Sequence, residues 1–411
     1  MSRSEVRLSD VRGYGRLGVE AATGVAAIVE RIHTTVLNTP GPFGVAARAL
    51  TGDVTAFVYR AVRSGMQLTG AGIDVALKIF EGETPAESSP GRDMALAALN
   101  GVIGDHLAAT QNPLALPMRL RHDGRALPDD AEALAAALPH ASAKILVLAH
   151  GLCMTDLQWT RRKHNHGVEL AGRFGMTPLF LFYNSGQHIS VNGRAFAAAL
   201  DSLTARWPVP VEEIVLIGHS MGGLVARSAC HAGAAAGHAW PAKLTKLFFL
   251  GTPHHGAPLE RIGAWAGHAL DRIPYAAAFG GPGRMRSAGV TDLRYGALSD
   301  EDWAHGDRFD PRAGRPRIVP LPAGVACHAV AATTARGAET LTTRLIGDGL
   351  VDLASALGAH DDPDRDLGLP AAQRWIARGA NHFDLLDRRD VCEQLALWLA
   401  APVSRKAEQG G

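Results

Sequence analysis

Cysteine is scarce. The four in 411 residues, Cys153, Cys230, Cys327 and Cys392, form no C-x-x-C pair and lie far apart. That spacing implies no zinc site, leaves room for one or two bridges at most, and favours a reduced, cytoplasmic protein. Long basic runs are missing too. With a formal net charge of +1 and no basic segment interleaved with aromatics, nucleic acid is not an expected partner. Nor does any run of 18 uncharged apolar residues occur that could span a bilayer. The first twenty positions, beginning Met1-Ser2-Arg3-Ser4-Glu5, are too polar for the apolar core of a secretory signal. The expectation is a cytoplasmic chain, soluble or peripheral to a membrane or granule.

What is present is concentrated at residues 214–223. Ile214, Val215, Leu216 and Ile217 form a continuous apolar run, which reads as a strand buried on both faces, and an alanine-rich helix former follows from Leu224. Between them lies Gly218-His219-Ser220-Met221-Gly222, a G-x-S-x-G elbow. Gly218 and Gly222 stand where side chains would collide with neighbouring backbone, and the Ser220 hydroxyl projects above the sheet edge as a candidate nucleophile.

A serine hydroxyl is a poor nucleophile without a base, and acyl transfer needs two hydrogen-bond donors where the oxyanion forms. The N–H of Met221 is one candidate donor. The strand from Lys144 to Ala149 runs into His150-Gly151-Leu152, which makes the Leu152 N–H the second, with Gly151 allowing a close turn and His150 bracing the loop. Asp156 and Trp159 on that loop read as structural. For the base and its orienting acid, the chain offers His382 in Gly379-Ala380-Asn381-His382 and Asp348 in Gly347-Asp348-Gly349, giving the chain order Ser, Asp, His. Asp352 is the weaker acid candidate, Asp384 lies too near His382 to orient it, and His328 falls on a strand. His254 and His255 in Gly251-Thr252-Pro253-His254-His255-Gly256 are adjacent and point differently, so they read as a rigid turn beneath the nucleophile rather than a metal centre.

Strands expected at 144–149, 178–183, 213–218, 245–250 and 325–332, alternating with helices near 193–206, 222–236 and 391–400, call for crossovers and a largely parallel sheet, with an antiparallel start around Asp123-Gly124. Residues 81–92 read as a polar linker, followed by a helix at 93–109. Ahead of them, apolar positions at steps of three and four predict amphipathic helices at 17–37 and 43–68 and a shorter one at 73–80. Charge is near balance through residue 110, so this helical region has three readings: packing on the catalytic domain, homo-oligomer formation, or docking to a membrane, lipid body or polymer granule through its apolar stripe.

These segments together resemble an α/β-hydrolase of the lipase and esterase branch, in particular bacterial triacylglycerol lipases and the catalytic domain of GPI-inositol deacylases. The likeness spans about residues 115–402 and rests on His150-Gly151-Leu152, the elbow from Gly218 to Gly223, Gly251 to Gly256, Asp348-Gly349-Leu350-Val351 and Asn381-His382. It implies a mostly parallel central sheet, Ser220, Asp348 and His382 as a triad, Leu152 and Met221 as the oxyanion hole, and no cofactor. The chain departs from many such lipases at Met154, where they carry glycine, and no matching carboxylate set carries over their calcium site. The division expected is a helical region at 1–114, a catalytic domain at 115–402 with a lid at 257–315, and a tail at 403–411. The reaction implied is hydrolysis of a small-molecule or lipid ester through an acyl-enzyme. A polyester depolymerase or an acyltransferase would use the same triad, and a non-catalytic scaffold is the remaining reading.

Overall fold

The computed structural model describes residues 90–258, 287–304, 316–335 and 347–402, with residues 9, 12, 13 and 15–17. The expected helix at 17–37 beyond its first residue, those at 43–68 and 73–80, the tail at 403–411 and most of the expected lid lie outside the described residues. Among them, no helix is long and apolar enough to cross a membrane.

The chain builds α1 (Pro90–Ala109), β1 (Arg119–His122), β2 (Arg125–Ala126), α2 (Ala131–Ala137), β3 (Lys144–Ala149), α3 (His166–Phe174), β4 (Thr177–Phe182), α4 (Ile189–Ala205), β5 (Glu213–His219) and α5 (Met221–Ala235). It continues with β6 (Leu244–Leu250), α6 (Ala288–Tyr295), β7 (Ala326–Thr333), α7 (Leu353–Ala356), β8 (Arg374–Arg378) and α8 (Arg389–Ala400). Among the described residues, eight strands form one sheet in the order β2-β1-β4-β3-β5-β6-β7-β8. From β4 through β8 every pairing is parallel, and only the β1–β2 hairpin and its join to β4 are antiparallel. The hairpin turns where expected, at Asp123 and Gly124, both with positive φ.

The continuous apolar strands follow from burial on both faces. Ile145, Val147, Ile214 and Leu216 face a core shared with α4 and α5, including Phe196, Leu200, Leu224 and Val225. Their neighbours Leu146, Leu148, Val215 and Ile217 face the other, with Trp159, Leu170, Leu395 and Trp398 from the loop after β3, α3 and α8. Two spans differ from expectation, and a third takes a form the reading left open. Helix α1 starts at Pro90, inside the residues read as a linker, because proline's fixed φ and missing N–H suit the first turn. Residues 288–295, inside the span read as a lid, form α6, capped by the Ser287 hydroxyl accepting from Val290 N–H. Strand β8 falls where no strand was expected.

Helix α1 docks beside β1 through charge. Arg121 reaches Asp93 of α1 at 2.8 Å and Asp156 at 3.0 Å, with its guanidinium 3.6 Å above the Phe182 ring. Buried Asn100 also ties α1 to the following loop by donating to the Leu114 carbonyl and accepting from Leu116 N–H. The described N-terminal residues pack here as well: Leu17 is buried with Leu96, Leu99 and Leu114, and Arg16 donates to the carbonyls of Thr110 and Gln111.

Candidate active site

Strand β5 ends and α5 begins with a single residue between them, and that residue is Ser220. Its backbone sits at φ 53°, ψ −124°, a region L-residues rarely occupy and which costs on the order of 1–3 kcal/mol. The surrounding glycines make the turn possible. A Cβ on Gly218 would lie 2.3 Å from the Cα of Gly223, and one on Gly222 would lie 2.2 Å from the Ala149 carbonyl oxygen. Any side chain at either position would push α5 off the sheet. The Ser220 N–H donates to the Leu250 carbonyl at 2.8 Å, which fixes the turn to the end of β6.

Asp348 and His382 come from separate loops after β7 and β8, and the structure brings them together. His382 Nδ1 and Asp348 Oδ2 are 2.6 Å apart, with both side chains almost wholly buried. A carboxylate accepts only, so Nδ1 carries the proton and Nε2 keeps its lone pair. The second Asp348 oxygen accepts from the N–H groups of Leu350 at 2.9 Å and Val351 at 2.8 Å, which orients the carboxylate. The His382 N–H also donates to the Asp348 carbonyl at 3.2 Å, closing one loop against the other.

His382 and Ser220 line one cavity, with Leu152, Met154, His219, Pro253, Ala257, Leu293, Leu350, Val351 and Phe383. Most of this wall is apolar. Met221 is the first residue of α5, so its N–H has no partner within the helix, and Leu152 sits on the opposing loop.

The supporting histidines are neutral braces. His150 is buried, its ring stacked on Tyr183 at 4.4 Å, its Nδ1 2.9 Å from the Gly151 carbonyl, and burial pulls its pKa down to about 4. Tyr183 donates its hydroxyl to the His150 carbonyl at 2.8 Å. His219 is held well below the ordinary histidine range by burial and by the neighbouring His382, and its Nε2–H donates to the His382 carbonyl at 3.1 Å. His254 and His255 do diverge, and neither lines the cavity. His254 packs edge-on to Phe249 beside Arg227 of α5, whereas His255 lies edge-on to His360. Pro253 alone of that turn reaches the wall.

The remaining candidates separate cleanly. Asp384 caps its own turn by accepting from Asn381 N–H, Asp352 stands at the start of α7 without a side-chain capping bond, and His328 on β7 stacks against Phe248. Sequence reasoning missed Leu293 and Phe383 as cavity residues. Phe383 adjoins His382 and was within reach of a local argument, but Leu293 arrives only because α6 folds over the elbow.

The sheet order, the parallel strands and the strand–serine–helix elbow define an α/β-hydrolase fold. The family model described as a PGAP1-like alpha/beta domain matches residues 198–266, a segment that contains Ser220 but neither Asp348 nor His382. Comparison with curated proteins gives no match. Among solved structures, the mature form of the Bacillus licheniformis lipase BlEst2 is similar at 19% identity and a TM-score of 0.40, covering 62% of this chain and 91% of that one. Its propeptide form gives 20% identity and a TM-score of 0.42 over 66% of this chain and 53% of that one. An esterase of Pyrococcus furiosus gives 13% and 0.35 over 63% of this chain and 81% of that one.

Proposed function

We propose that the protein is a serine carboxylic-ester hydrolase acting on a lipid-like or short to medium acyl ester. The observation that carries this reading is the 2.6 Å contact between His382 Nδ1 and Asp348 Oδ2 beside a cavity that Ser220 shares with His382. In this mechanism Ser220 Oγ attacks the ester carbonyl carbon while His382 Nε2 takes its proton, and Asp348 stabilises the imidazolium. The tetrahedral oxyanion is met by the N–H groups of Leu152 and Met221. Collapse breaks the bond to the alcohol, which leaves with the proton from His382. Water then repeats the sequence on the acyl-Ser220 ester, releasing the carboxylic acid and restoring the serine.

The apolar wall of Leu152, Met154, Ala257, Leu293 and Val351 suits an acyl chain rather than a charged group. No cofactor enters the scheme. The test is turnover of p-nitrophenyl esters from acetyl to palmitoyl by the wild type, Ser220→Ala, His382→Ala and Asp348→Asn, each variant checked for folding by circular dichroism. Loss of turnover in all three folded variants supports the reading, and the best chain length divides esterase from lipase. An inactive wild type, or a Ser220→Ala protein that keeps its turnover, sinks it.

A further inference from the structure

A second group of chemistry-bearing side chains lies outside the cavity. His164, His166 and Cys392 bring one nitrogen of each ring and the Cys392 thiol sulfur within 4.8 Å of one another, from the loop before α3, the first residue of α3 and the first turn of α8. His166 and Cys392 are buried, while the His164 side chain is 10% exposed. The site is thus closed on one side and reachable on the other.

The outward nitrogens are both committed. His164 Nδ1 is 3.1 Å from a Glu169 carboxylate oxygen, and His166 Nε2 is 3.0 Å from the Leu385 carbonyl. Carboxylate and carbonyl accept only, so these outer nitrogens carry the protons. With both rings neutral, the inner nitrogens, His164 Nε2 and His166 Nδ1, present two lone pairs to each other at 2.7 Å, a contact that a proton on His164 or a metal ion would satisfy. That contact is repulsive unless something positive lies between them. A histidine whose far N–H is donated to a carboxylate or backbone carbonyl is the arrangement that orients metal-ligating imidazoles.

The turn that supplies His164 is also unusual. Arg162 and Lys163 both have positive φ, at 46° and 63°, and neither is glycine. Reciprocal backbone hydrogen bonds between Arg161 and His164 hold this tight turn and aim the His164 ring at His166.

We propose that His164 Nε2, His166 Nδ1 and the Cys392 thiolate form a site for a zinc-like divalent transition-metal ion, with Glu169 and the Leu385 carbonyl as the groups that orient the two imidazoles. Two nitrogens and a sulfur are a donor set for zinc or cobalt, not for calcium or magnesium, which take oxygen. Zinc bonds to nitrogen are about 2.0–2.1 Å and to sulfur about 2.3 Å, so binding parts the two ring nitrogens by roughly 0.6 Å and releases the thiol proton to solvent. Leu385 belongs to the same turn as His382, so the carbonyl that orients His166 comes from the segment bearing the base of the proposed reaction.

The test is titration of the full-length protein, first freed of metal by chelation, with Co²⁺ and then Zn²⁺. The expected result is one Co²⁺ per chain, with a thiolate-to-cobalt charge-transfer band in the near ultraviolet and intense visible bands of a four-coordinate ion, all displaced by Zn²⁺. Cys392→Ser removes the charge-transfer band, and Glu169→Gln weakens binding by about 10- to 100-fold. Because the wild type gives the deciding spectrum, a misfolded variant cannot obscure the outcome. Wild-type protein that retains neither ion at one per chain overturns the site and leaves a proton shared between the two rings. Cobalt uptake without a thiolate band, or a band that survives Cys392→Ser, overturns it as well.

Discussion

His382 and the His164–His166 pair hang on the same short turn, yet their surroundings give them opposite work. The carbonyl of His382 accepts from His219 and that of Leu385 accepts from His166, so residues 382–386 are gripped from two directions. At His382 one nitrogen is tied to a carboxylate, and the ring lines the cavity that also takes Ser220. At the pair, each ring has its outer nitrogen tied and its inner nitrogen turned on the other ring. The difference shows that a buried histidine's role is set by what its second nitrogen meets. A free lone pair beside a hydroxyl can move a proton, whereas two opposed lone pairs can only hold something still.

The largest effects separate these two roles. Ser220→Ala and His382→Ala are expected to lower kcat for ester hydrolysis by about 10⁶-fold, and Asp348→Asn by about 10⁴-fold because the wrong tautomer is then held. None of the three touches the His164, His166 and Cys392 donors, so cobalt uptake should be unchanged in Ser220→Ala. Cys392→Ser should show the reverse, with ester turnover kept near wild type and the cobalt band lost. Both properties falling together in one variant would mean the two clusters are a single unit and the comparison is wrong.

Next comes the scaffold on which only the first cluster depends. Gly222→Ala places a methyl group 2.2 Å from the Ala149 carbonyl oxygen and 2.5 Å from that of His150. Backbone oxygens cannot rotate away, so a loss of roughly 3 kcal/mol or more in urea-unfolding stability is expected. A substitution tolerated without loss would mean that the elbow is looser than its glycines imply.

That elbow was legible because its cause is local. Ten consecutive residues carry the strand, the two glycines, the serine and the helix start, and the apolar runs of β3, β5 and β6 follow from burial on both faces. The parts that escaped notice depend on distant partners. Strand β8, Arg374-Trp-Ile-Ala-Arg378, is a half-buried edge with charged ends, so no alternation or apolar run announces it. Helix α3 opens His166-Gly167 and carries a second glycine, which weakens its propensity, and what holds it is the Asn165 cap and packing against α8. His164 and His166 are two residues apart, and nothing in their own segment supplies a third donor of their kind. Only the return of the chain through α8 puts Cys392 beside them, which is why the cysteine spacing implied no metal. Asp348 and His382 were readable as types in order, but their contact needed the sheet.

A smaller effect contrasts His382 with a buried histidine that has no carboxylate. His150 is neutral in the fold, with a pKa of about 4 set by burial, against an unfolded value near 6.5. Between those values the unfolded chain binds the proton and the folded chain does not. Stability is therefore full above pH 6.5 and declines as pH falls towards 4, by about 3 kcal/mol for this group. His254 shifts in the same direction, again mainly from burial. Urea midpoints measured from pH 8 to pH 4 should fall accordingly, and His150→Asn should flatten part of the slope. A flat profile in the wild type would mean that water reaches these rings.

The smallest effect concerns the wall rather than the chemistry. Met154 lines the cavity beside Ser220, and its sulfur would lie 3.1 Å from a Cβ added to Gly151, so it closes the space between the proposed oxyanion loop and the nucleophile. Methionine is unbranched and fills such gaps adaptably, and its removal opens room for further methylenes of an acyl chain without touching a polar group of the site. Each methylene accommodated is worth about 1–3 kcal/mol in discrimination. Met154→Ala should therefore shift kcat/KM about tenfold towards longer p-nitrophenyl esters, with the acetyl ester nearly unaffected. An unchanged chain-length profile would place the acyl chain along Leu293 and Pro253 instead, on the wall that α6 and the turn after β6 provide. A loss at every chain length would assign Met154 to holding the Leu152 N–H in place, which ties the wall to the chemistry after all.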